Sequence, residues 1–193
     1  MLQDVPRVIF LAVVLTLAAF AENGAFAQVR EPEGLWSGPM RGETPRTLQG
    51  AVVIDLAGLE GLLPRDPVLL DIGPADKKPE GFSGERLWLP THRSIPKAVW
   101  LPGAGSATLG AAREEAFLRR IEDLTQGDRA RPIVVFCQPL CWGSWNVGKR
   151  LVAQGYTSVH WFPGGVDGWQ EKHETVTVDM DKDWPAASSA PEP

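Results

Sequence analysis

The apolar residues of this chain fall into short runs that stop abruptly, separated by stretches dense in glycine and proline. Ala51–Ile54 reads as a strand, and Asp55 stands where it can cap a helix on which Leu56, Leu59, Leu62 and Leu63 recur until Pro64. Asp66 and Pro67 turn the chain into a second apolar strand, Val68–Ile72; strand, helix and strand in so few residues argue for parallel pairing. Ile95–Pro102 reads as a third strand. Ala111–Leu124 is an amphipathic helix with Ala112, Ala116, Phe117, Ile121 and Leu124 on one stripe and Gly127 beyond its end. Ile133–Phe136 is the fourth strand, and it feeds a helix that carries Trp145, Gly148, Leu151 and Val152 on one face and stops at Gly155. Tyr156–Phe162 supplies a fifth strand. The glycines of Pro163–Trp169 suggest a turn rather than a nucleotide site, because no long helix is expected after them.

These elements predict an α/β fold, a single domain over residues 51–173 with a five-stranded, mainly parallel sheet and helices on both faces. Residues 73–94 form a long Gly/Pro-rich loop, with Trp88 and Leu89 its bulky apolar pair; loops of that length are functional or disordered. Residues 28–50 read as an extended arm whose Trp36 and Leu48 pack on the domain. Residues 174–193 read as a brief extended piece followed by a disordered end.

Residues 1–27 follow another pattern. A short charged start precedes the apolar run VIFLAVVLTLAAF and a small-x-small end at Ala25, Phe26 and Ala27. That is the order of a secretory signal peptide, with cleavage expected after Ala27, and the run is too short for a span of ~20 apolar residues. The mature protein is therefore expected in the periplasm, without membrane contact once the signal is gone. The full chain has 19 basic and 24 acidic residues; cleavage removes Arg7, Asp4 and Glu22 and leaves a net charge of −4. A basic patch is the electrostatic requirement for nucleic acid, so that partner is excluded.

The candidate chemistry sits where the fourth strand ends. Cys137 follows Phe136 directly, and Gln138, Pro139, Leu140 and Cys141 lead to Trp142. In open α/β sheets ligands bind beyond the carboxyl ends of the strands, where loop amides meet the positive end of the next helix. A thiol in that field loses its proton more easily than a free one. Cys137 is thus the candidate nucleophile and Cys141 the candidate resolving thiol. Gln138, Leu140, Trp142, Gly143, Ser144 and Asp71 are the candidate substrate-binding residues. The bland alternatives are an inert buried cysteine or a plain structural disulfide, which an oxidising compartment permits. A third alternative is a soft ion such as Cu(I) on the two thiols with His160 or Met40; no four-ligand cluster is legible, so no metal and no cofactor is assigned.

From Ala51 to Gln170 the order of segments resembles the rhodanese domain. IDLAGLEGLL followed by VLLDIG is similar to the family's opening helix and its Leu-(Ile/Leu)-Asp-Val-Arg strand. SIPKAVWLP is similar to its His-Ile-Pro-Gly-Ala segment, IVVFC to the strand presenting the catalytic cysteine, and PGGVDGW to its closing Gly-Gly-x-x-x-Trp. A narrower resemblance, carried by CQPLCWGSW and by LWLP at Leu87–Pro90, is to exported rhodanese-like proteins associated with pyrroloquinoline-quinone-dependent catabolism and marked by paired cysteines before a Trp. The resemblance implies a rhodanese-like fold and cysteine thiol or persulfide chemistry, as a sulfurtransferase or a dithiol oxidoreductase. It implies a small sulfur-containing substrate or a protein thiol, and a periplasmic role accessory to quinoprotein alcohol oxidation with a quinoprotein dehydrogenase as partner. The chain departs from the family loop Cys-x-x-Gly-x-Arg, whose amides and arginine hold a sulfur oxyanion: Trp142 and Gly143 stand where the arginine would fall, and Gly73 replaces the arginine after Asp71. A scaffold without that charge also suits a non-catalytic binding module for a quinoprotein or cytochrome, and soft-metal carriage remains the third alternative.

Overall fold

The computed structural model describes residues 29–75 and 91–185. The segment expected as a signal peptide, LWLP with Trp88, and the last eight residues lie outside them.

The centre of the molecule is a five-stranded sheet. Its strands are β1 (Val52–Val53), β2 (Val68–Asp71), β4 (Val99–Trp100), β5 (Ile133–Phe136) and β6 (Val159–Phe162), in the spatial order β1-β6-β5-β2-β4. Every pairing is parallel, rather than mainly so. Parallel strands need helical crossovers, and these cover both faces of the sheet. The central strands β2 and β5 are buried throughout and uniformly apolar up to Asp71, as strands covered twice must be. Alternate residues therefore enter two different cores. Leu70, Ile133 and Val135 meet Phe117 and Ile121 of α2 (Ala111–Thr125) and Val147 and Leu151 of α3 (Trp142–Ala153). Leu69, Val134 and Phe136 meet Leu59 and Leu62 of α1 (Leu56–Leu62) and Val166 and Trp169 of α4 (Gly165–Gln170).

The helix ends follow from local chemistry. Asp55 caps α1, its Oδ1 accepting from the Gly58 amide at 2.9 Å. At the end of α2, Gln126 takes the left-handed conformation and the Gly127 amide returns to Glu122 O at 2.9 Å.

Three expectations are corrected. The long loop ends in a strand, β3 (His92–Ser94), which pairs antiparallel with β7 (Val176–Val178), the extended piece of the tail, so a second small sheet exists. The glycine-rich Pro163–Trp169 segment is not a plain turn but contains α4, where burial of Val166 and Trp169 offsets the two glycines, Gly165 and Gly168, that disfavour a helix. The expected domain limit at residue 173 falls short of the packed chain, because Trp184 is buried against Phe117 with its Nε1 donating to Pro102 O at 2.9 Å. Among the described residues no helix is long and apolar enough to cross a membrane.

β3 is tied to the sheet through Asp71, a wholly buried carboxylate. Its Oδ1 accepts from the Gly73 amide at 2.7 Å, and its Oδ2 from Ser94 Oγ at 2.5 Å, with His92 Nε2 2.7 Å away. His92 stacks on Trp100, whose Nε1 donates to Gly73 O. Asp71→Ala leaves these donors without an acceptor. It is expected to lower stability by about 3 kcal/mol, read as a shift of the urea midpoint at unchanged m-value.

Candidate functional site

β5 delivers Cys137 and α3 begins just after Cys141, so the loop between them spans the joint of strand and helix. The two sulfurs form a disulfide, with Cα atoms 6.3 Å apart. Both belong to the core between the sheet and helices α2 and α3, Cys137 at 1% exposure and Cys141 at 8%. The Cys137 carbonyl accepts from the Val166 amide at 2.9 Å. Gly165 lies against that carbonyl at φ +56, where an added Cβ would come within 2.4 Å of the oxygen, so the close approach requires glycine. The strand-end cysteine is thereby clamped from the α4 side. Leu140, at φ +58 and 53% exposed, turns the loop back toward Cys141.

The arm, residues 29–50, reaches across this joint and completes it. Gly42 N donates to Leu140 O and Trp142 N to Met40 O, both at 2.9 Å, which sets Arg41 opposite Cys141 as an antiparallel bridge. Arg41 Nη1 donates to Gln138 Oε1 at 2.7 Å. Upstream, Trp36 stacks on Trp142 with ring centroids 4.3 Å apart, an arrangement that contributes about 0.5–1.5 kcal/mol beyond area burial. Asn146 locks the same turn: it accepts from the Trp36 amide at 2.8 Å and donates to Trp36 O at 2.9 Å and Gly105 O at 2.8 Å. Leu48 fits over Gly148, where a Cβ would come within 2.7 Å of its Cδ1, and Trp145 Nε1 donates to Thr47 O at 3.0 Å.

The expected substrate-binding residues therefore separate. Gln138, Leu140 and Trp142 surround the disulfide, and Gly143 sits 3.5 Å from Cys141 Sγ measured at the Cβ it lacks. Ser144 faces inward: its hydroxyl donates to Cys141 O at 3.2 Å and accepts from Trp161 Nε1 at 3.1 Å. Asp71 orders Gly73, His92 and Ser94 rather than the cysteine loop. The residue that sequence reasoning passed over is Arg41. Its one signal was a cation in the arm with no apparent partner, and nothing in the spacing tied it to residue 141.

Further along α3 the cations are occupied. Arg150 is buried and pairs with Glu114 at 3.1 Å; burial pulls its guanidinium below the usual value, and Glu114 acts in the opposite sense. Lys149 donates to Pro32 O and lies over the Trp145 ring. His160, a candidate ligand for a soft ion, sits on β6 beside Ser158 Oγ at 3.3 Å; burial, then the Arg65 charge, lowers its pKa. Among the described residues no group of three His, Cys, Asp or Glu side chains is placed to hold a metal ion.

A family model for the Rhodanese-like domain matches residues 58–172, from within α1 to just past α4. The chain belongs to the rhodanese-like family. The matched span includes Cys137, Cys141 and the start of α3. No curated protein matches the chain. It is similar to the polysulfide-sulfur transferase homodimer from Wolinella succinogenes, at 17% identity and TM-score 0.42 over 67% of this chain and 80% of that one. It is also similar to an uncharacterized protein from Saccharomyces cerevisiae, at 16% identity and TM-score 0.37 over 62% of this chain and 91% of that one.

Gly105 tests how closely the first turn of α3 is held. A Cβ there would meet Gly143 Cα at 2.3 Å, a backbone contact that cannot rotate away. Gly105→Ala is expected to cost about 1–3 kcal/mol in urea unfolding and to raise the fraction of cysteine that alkylates without prior reduction.

Proposed function

We propose that this rhodanese-like protein is exported and handles sulfane sulfur by passing Cys137 and Cys141 between a dithiol and a disulfide. The observation that carries this reading is the Cys137–Cys141 bridge at the joint of β5 and α3. A bridge over so short a loop constrains the unfolded chain little, so global stabilisation is a poor reason for it.

In the dithiol form, the Cys137 thiolate attacks the terminal sulfur of a persulfide donor, R–S–SH. The donor's S–S bond breaks, R–S⁻ leaves and takes a proton, and Cys137 carries the persulfide. The Cys141 thiolate then attacks Cys137 Sγ, forming the bridge and releasing hydrosulfide. Two electrons pass from the dithiol to the sulfane sulfur. An external dithiol returns them by exchange, and Cys141, the less buried sulfur, is where it attacks. Cys141 is also the N-cap residue of α3, whose positive end stabilises the thiolate that forms there. Opening the bridge removes the covalent tie between the two ends of the loop, while the Leu140 carbonyl still accepts from Gly42 N of the arm.

The setting belongs to the same proposal: a periplasmic protein after cleavage behind Ala27, accessory to quinoprotein alcohol oxidation, with a periplasmic quinoprotein dehydrogenase as partner. The N-terminal pattern and the paired cysteines before Trp142 support that part. A second reading, a non-catalytic module for such a partner, is favoured by the 1% exposure of Cys137.

Mass spectrometry after polysulfide treatment and alkylation separates the two. The reduced wild type is expected to release hydrosulfide and close the bridge, Cys141→Ser to keep one extra sulfur on Cys137, and Cys137→Ser to take up none. A wild type that never accepts sulfur, and whose bridge never exchanges with a dithiol, leaves only the binding module.

A further inference from the structure

We propose that Arg41, carried on the N-terminal arm, is the specificity-determining residue of the thiol site and selects anionic sulfur substrates over neutral ones. This rests on the thiol–disulfide reading of Cys137 and Cys141 and adds the charge of what they act on.

The register of the arm carries the inference. Gly42 N→Leu140 O and Trp142 N→Met40 O flank the Arg41/Cys141 pair on either side. That is the non-hydrogen-bonded type of antiparallel pair, in which the two amides point apart and the side chains leave on the same face, with Cβ atoms about 4.5–5.5 Å from each other. The Arg41 side chain thus starts directly beside that of Cys141. Its tip lies on Gln138, so the guanidinium spans the loop from its last residue to its second. The Gln138 contact engages one of the five N–H donors of a guanidinium. Arg41 is exposed, so those donors lie at the mouth of the site.

The chemistry fits that position. The thiolate that leaves a sulfane-sulfur donor carries negative charge, and so does a polysulfide or any donor whose R group is acidic. A guanidinium beside the attacked sulfur lowers the energy of the incoming anion and of the departing one. The N-terminus of α3 adds a field of the same sign at Cys141. Lys149 and Arg150 cannot take this part, since the first lies over Trp145 and the second is buried against Glu114. The loop itself contains no cation, so Arg41 brings to the disulfide a charge that residues 137–144 lack.

The test follows the reduced full chain by stopped flow with two disulfides, the dianionic dithiobis(nitrobenzoate) and the uncharged dithiodipyridine. For Arg41→Gln, the ratio of the anionic to the neutral rate constant is expected to fall about tenfold. Arg41→Lys is expected to keep most of the wild-type ratio, and added salt to bring the wild-type ratio toward that of Arg41→Gln. An unchanged ratio in Arg41→Gln overturns the proposal, as does an equal loss with both reagents, which marks a merely structural arm. A wild type that reacts with neither reagent overturns the thiol reading beneath it instead.

Discussion

Burial of β5 on both faces is the constraint from which the rest of the molecule follows. None of the four residues Ile133–Phe136 touches water, so every amide and carbonyl of that strand must find a partner in β2 or β6. That requirement fixes the register on both sides and leaves no freedom in where the strand stops. Cys137 emerges at one point of the sheet, with Ile72 N bonded to Phe136 O on one flank and Val166 N to Cys137 O on the other. A sulfur held this way is placed by the whole sheet rather than by its own loop.

The second sulfur is placed differently. Cys141 depends on the start of α3, and that turn is pressed between Gly105 beneath and the arm above. The arm has little regular structure, yet stacking of Trp36, burial of Leu48 and the hydrogen bonds of Asn146 fix it to the domain. The site is therefore assembled from three parts of the chain, Gly105 about forty residues before the cysteine loop and the arm about a hundred, and its polar character comes largely from the more distant of them.

Much of this was legible in the residues. The alternation of apolar runs and helical stripes, the Asp55 cap and the position of Cys137 at a strand end all follow from local pattern, and the sheet has those strands in parallel. What escaped was decided by tertiary contact. The segment Gly165–Gln170 has too much glycine to predict a helix, and only the burial of Val166 and Trp169 makes it one. The pairing of β3 with β7 joins short pieces more than eighty residues apart, with no strong period in either. Asp71 is conspicuous in the sequence, but its partners His92 and Ser94 lie more than twenty residues further on, so its task cannot be read from spacing. Arg41 against Cys141 is a matter of strand register, and register between an irregular arm and a loop leaves no trace in hydrophobicity.

The stretch that follows β7 brings a different consequence. Met180 bridges to Trp100, Asp181 accepts three hydrogen bonds from Arg120, and Trp184 closes over Phe117. The packed chain thus extends beyond residues 58–172, which the family model spans. A fragment excised at those limits would present the flanks of Trp100 and Phe117 to solvent as a bare apolar patch, prone to self-association, whereas one that runs from the arm through Trp184 carries its own cover.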